Sequence, residues 1–196
     1  MVITNSPALV SSVCISIYWF IVILKVAMII PKIGKAPNVI PKEPLGLLSR
    51  LFMVPLIVFW LYLPWNASFF LEVTYRSLAW IGALLSLSAL ALTIYCWYYM
   101  GNLWRIGIDP KEKNELITDG PFKCVRHPIY ALSMLLMLGS FLSVQTVAMF
   151  ALLCVHWILF QLEAYREERY LGRVHGDSYK KYVQQSSRFI SFRCSK

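Results

Sequence analysis

Charge is scarce in this chain: Asp, Glu, Lys and Arg make up 15% of its 196 residues, and several long stretches hold none. With 58% hydrophobic residues, that composition excludes an ordinary soluble domain of this size and points to the bilayer as solvent. Zinc-type motifs are missing too. Cys14, Cys96, Cys124, Cys154 and Cys194 form no CxxC pair and no close Cys/His grouping, so neither a metal site nor a disulfide framework is expected. Only two residues follow Cys194, which excludes a CaaX prenylation signal. No basic stretch precedes the first apolar run and no small-residue cleavage pattern closes it, so it reads as a retained helix. Repeats and low-complexity tracts are absent.

What is present is a series of apolar runs. Pro7 to Ile30 is apolar except for Lys25, whose ammonium is expected to snorkel toward the nearer polar boundary. Leu51 to Leu71 is uncharged and contains Pro55 and Pro64, tolerable as kinks in a membrane helix. Ser77 to Met100 is a third run, followed by interfacial aromatics such as Trp104. Ile129 to Leu162 is uncharged and too long for one span, since about 20 residues cross a hydrocarbon core of about 30 Å. Ser143, Gln145 and Thr146 mark a turn near its middle. The expected fold is therefore all-α and polytopic, with about five transmembrane helices ending in a helical hairpin. Residues 1–100 would carry three spans, and 101–196 a polar segment, the hairpin and a polar C-terminal segment. Residues 31–44, rich in proline, read as an irregular connector.

The net charge of +9 would suit nucleic acid, but basic residues placed between apolar spans more often set orientation or meet anionic lipid. No nucleic-acid partner is expected. Seventeen Lys and Arg residues follow spans one, three and five, whereas Arg76 stands alone on the other side. By the positive-inside rule the N-terminus lies outside and the C-terminus in the cytoplasm.

Polar residues concentrate in Trp104 to Tyr130 and Glu163 to Tyr182, which a hairpin returns to one side. Arg126-His127-Pro128 looks like a helix start, whose N–H groups would suit an anion such as a carboxylate, or else simply a cap. Glu163 and Glu167 lie one turn apart, the spacing of a solvated, salt-bridged helix end or of a carboxylate pair facing a ligand. His156, inside the fifth span, suits an interhelical hydrogen bond.

Leu116-Ile117-Thr118-Asp119-Gly120-Pro121-Phe122, then Arg126-His127-Pro128-Ile129-Tyr130, a hairpin, Glu167-Glu168-x-x-Leu171 and Gly176-Asp177-x-Tyr179-x-x-Tyr182 together resemble the isoprenylcysteine carboxyl methyltransferase family and its bacterial relatives. Membrane phospholipid N-methyltransferases and the C-terminal part of sterol reductases share a similar pattern. The resemblance implies transfer of a methyl group from S-adenosylmethionine to a lipid-like acceptor, a carboxylate in that family, at the cytoplasmic face among membrane lipids. By position it puts Glu115, Leu116, Ile117 and Phe122 at the adenosine, Arg126, His127, Ile129 and Tyr130 at the methionine end, and Glu167 also at the cofactor. Glu167, Glu168 and Arg166 are the candidate catalytic groups. Phe122 stands where a tyrosine is frequent, and Glu163 where the carboxyl methyltransferases carry a substrate-orienting arginine. A glutamate there would repel a carboxylate. The rival readings are a phospholipid-type N-methyltransferase, an NADPH-dependent membrane reductase and a non-catalytic membrane scaffold.

Overall fold

The computed structural model describes residues 5–33, 44–70, 75–104 and 115–191. Most of the 31–44 connector therefore lies outside the described residues, as do Arg105 and Cys194. Among the described residues there are five α-helices and no strand: α1 (Ser6–Ile33), α2 (Pro44–Phe70), α3 (Arg76–Met100), α4 (Pro128–Val144) and α5 (Val147–Gln185). Four of them, α1, α2, α3 and α5, are long and apolar enough to cross a membrane. The 17 residues of α4 rise about 26 Å, slightly less than a hydrocarbon core. Pro55 and Pro64 sit within α2 without ending it.

The turn between α4 and α5 forms where the sequence marks it. Gln145 adopts the left-handed conformation that closes α4, and Thr146 caps α5 by accepting from the Met149 N–H at 3.3 Å. Gln145 also bonds both backbone groups of Tyr75, which ties the hairpin tip to the start of α3. The part of α5 before the kink at Gly176 rises about 44 Å, well beyond a hydrocarbon core of about 30 Å, so its apolar half ends near Leu162 and its polar half projects beyond the bilayer. Gly176, at φ 53°, breaks the helical geometry of that projecting part.

Small residues let α1, α3 and α4 pack closely, as expected where helices lack a hydrophobic drive to associate. Ser11 Oγ lies 2.7 Å from Ser143 Oγ and 3.1 Å from Ser86 Oγ, so one hydroxyl of α1 links the other two helices. His156 has the interhelical role expected of it, 3.2 Å from Ser133 Oγ, with its ring between Trp60 and Phe160. Lys25 places its ammonium 5.3 Å from the ring centroid of Trp104, just past the end of α3, so an aromatic face meets the charge.

Candidate active site

Hairpin geometry returns the start of α4 and the polar half of α5 to one end of the bundle, and a C-terminal strap closes over them. Arg126 N donates to Ser187 O at 2.8 Å, Ser187 N to Cys124 O at 2.9 Å, and His127 N to Arg188 O at 3.0 Å. A short parallel pairing between Val125 and Ser187 results. Cys124 is disulfide-bonded, a correction to the expectation that the cysteines form no such bond.

Glu168 is the electrostatic centre of this end. Its oxygens accept from Arg126 Nε at 3.0 Å and from Arg188 Nη2 at 2.5 Å, and Oε1 lies 3.3 Å from His127 Nε2. That last contact is too far off line for a hydrogen bond, so it is electrostatic. On the other side of the ring, His127 Nδ1 is 3.5 Å from Glu167 Oε2, which also accepts from the Tyr130 hydroxyl at 3.0 Å. The His127 and Tyr130 rings stack with centroids 5.2 Å apart. Burial opposes a charge on His127, but the carboxylates of Glu167 and Glu168 outweigh it and raise the imidazole pKa above 6.5. Burial likewise opposes the Glu168 carboxylate, yet His127, Arg188 and Arg126 together pull its pKa well below the ordinary value.

A pH dependence follows from His127. Its folded-state pKa is raised, so its contribution to stability is complete below 6.5 and is lost as pH rises through the higher folded-state value. Thermal melts across a pH series spanning 6.5 should show stability falling on the alkaline side, and His127→Gln should flatten that fall. An equal fall in the variant would assign it to another group.

Three of the expected cofactor residues, Arg126, His127 and Tyr130, meet Glu167 and Glu168 in this cluster. Ile129 lies beside them in the first turn of α4, a helix start that no side chain caps. Glu115 is exposed and Leu116 and Ile117 are partly buried, in an extended segment leading to the 3-10 turn Gly120–Phe122. Phe122 is buried, and its carbonyl accepts from the Tyr182 hydroxyl at 2.5 Å, so this segment is anchored on α5 rather than on His127. Arg166 faces elsewhere. It donates to both oxygens of Glu163, at 3.0 and 2.8 Å, and Glu163 also accepts from Ser49 Oγ at 2.5 Å. Glu163 is thus a buried, paired carboxylate and not part of a solvated helix end. The sequence reading missed Arg188, which registered only as one of the basic residues after the fifth span, and Ser49, which it did not single out.

A groove of about 520 Å³ runs along the α4–α5 seam, lined by apolar residues such as Met134, Leu138, Trp157 and Phe189. His156 and Glu163 of α5, which contact Trp60 and Ser49 of α2, are not among its lining residues.

No curated protein matches the chain significantly. The family model described as phospholipid methyltransferase matches residues 78–178, which include most of α3, the Arg126–Tyr130 start, the turn of the hairpin and the Glu167–Glu168 pair. A match over more than half of the sequence, taking in Arg126, His127, Tyr130, Glu167 and Glu168, means that the chain belongs to the phospholipid methyltransferase family.

Proposed function

We propose that the chain transfers a methyl group from S-adenosylmethionine to the headgroup of a membrane amphiphile, with an amine as the preferred acceptor. The observation that carries this reading is Glu167: its carboxylate is held by Tyr130 and His127, yet 38% of the side chain remains exposed. Glu168, by contrast, is fully engaged with cations. A free-facing carboxylate suits an ammonium or a sulfonium and repels a carboxylate acceptor. With Glu163 neutralised by Arg166, no arginine stands at that position to orient a carboxylate. Carboxylate O-methylation is therefore the less supported acceptor chemistry.

The cluster fits the cofactor's charges. The uncapped start of α4 supplies N–H groups for the methionine carboxylate, and His127, whose pKa its neighbouring carboxylates raise, stands beside it. Glu167 faces the positive groups. When bound, the cofactor supplies an activated methyl on sulfonium, so the protein's task is placement and exclusion of water. An amine attacks in its neutral form, and Glu167 is the carboxylate placed to take up its proton. The lysine and arginine asymmetry supports a cytoplasmic position for this end.

Calorimetry on detergent-solubilised protein tests the reading. S-adenosylmethionine should bind, and His127→Ala and Glu167→Gln should each weaken it about tenfold or more, since a hydrogen bond to a charged group contributes roughly 1.5–3 kcal/mol. Labelled methyl should appear in phosphatidylethanolamine, but not when the cofactor is supplied only outside sealed right-side-out vesicles. Binding of NADPH with none of S-adenosylmethionine would replace this reading with a reductase, and unchanged affinity in both folded variants would move the site elsewhere.

A further inference from the structure

In the second turn of α2, Ser49 reaches the polar half of α5, and Arg50 follows it. Ser49, Glu163 and Arg166 satisfy one another there, so Glu163 needs no further cation. Arg50 takes no part in that cluster. Its Nε is solvent-inaccessible and has no hydrogen-bond partner among the described residues. The flanking Leu47, Leu48, Leu51 and Phe52 are all half or more exposed, so Arg50 sits where the hydrocarbon-facing surface of α2 meets the polar end of the bundle.

With Nε buried and the side chain still partly exposed, the guanidinium has its outer N–H groups available at this boundary, and its planar fork matches phosphate well. Its surroundings supply the second half of a headgroup site. The preceding residue, Ser49, bonds Glu163, one helical turn before Glu167 on α5, and the Tyr130 hydroxyl donates to Glu167. A cation on α2 and a partly exposed carboxylate on the facing part of α5 present the opposite charge order to a zwitterion of phosphate followed by ammonium. We propose that Arg50 binds the phosphate of the acceptor phospholipid and so directs its amine toward Glu167. The proposal rests on the methyl-transfer reading for the amine, but the phosphate contact can be measured by itself.

The test is a titration of detergent-solubilised protein with phosphatidylethanolamine and with diacylglycerol of the same chains, followed by native mass spectrometry. The unmodified protein should bind the phospholipid at least tenfold more tightly. Arg50→Gln should erase that preference, and Arg50→Lys, which keeps the charge but loses the fork, should retain part of it. Calorimetry with S-adenosylmethionine should be unchanged in both variants. Absence of cofactor binding in all three proteins would sink the methyl-transfer reading while leaving the phosphate contact to its own result. A preference that survives Arg50→Gln would overturn the proposal. So would a preference abolished instead by Cys154→Trp, which fills the groove on the α4–α5 seam.

Discussion

Replacing Gly139 with alanine is expected to force α3 and α4 apart and to lower stability by about 3 kcal/mol. A Cβ at Gly139 would stand 2.5 Å from Ser86 Oγ, 2.6 Å from Gly82 O and 2.9 Å from Ser86 N. Two of those atoms are backbone, so a side-chain rotation cannot relieve the clash. The helices must move, and the Ser11–Ser86–Ser143 hydroxyl contacts lengthen with them. Alanine is the better helix former by up to about 1 kcal/mol, too little to offset overpacking of about 1–3 kcal/mol plus about 1 kcal/mol for each hydrogen bond lost. Gly172→Ala is the control: its Cβ would meet nothing nearer than Tyr179 Cδ1 at 3.7 Å. Thermal melts in detergent should show a large drop for the first variant and little change for the second. Equal melting of Gly139→Ala and the parent protein would mean that the α3–α4 contact is looser than described.

Glu168→Gln is expected to release the C-terminal strap from the start of α4. The carboxylate faces Arg126, Arg188 and His127, with 14% of its side chain exposed. Glutamine keeps the shape and one acceptor oxygen but removes the charge that all three cations share. Breaking a buried pair costs about 3–5 kcal/mol, but the Arg188 side chain is 36% exposed and its share is screened by solvent, so about 2–3 kcal/mol is expected here. Hydrogen exchange reads this locally. The amides of Arg126, His127 and Ser187, which bond across the strap, should exchange faster in the variant, while amides of α3 should not. Protection retained at Ser187 would show that the backbone pairing holds the strap without Glu168.

Much of the fold was legible in the sequence because a bilayer makes apolar length the dominant signal. The runs from Pro7, Leu51, Ser77 and Ile129 each became helix, and Gln145 and Thr146 turned the hairpin where their polarity interrupts it. Boundaries were less legible where polarity and helicity part company. The α2 helix begins at Pro44, before the apolar run, and α5 runs on to Gln185 through residues that no bilayer requires to be helical. The RHPxY and Glu-Glu segments could be assigned to one end of the bundle, because a hairpin must return its ends together.

The sequence by itself determined that the chain is helical, apolar enough for a membrane, and polar in two segments that meet. Tertiary structure alone decided how the charges divide. Glu163 and Glu168 are paired with cations, the Glu167 side chain stays partly exposed, and Arg50 Nε has no partner among the described residues. Residues separated by 114 positions, as Ser49 and Glu163 are, leave no periodic trace of their contact, and the field on each charge depends on which neighbours packing brings within a few ångströms.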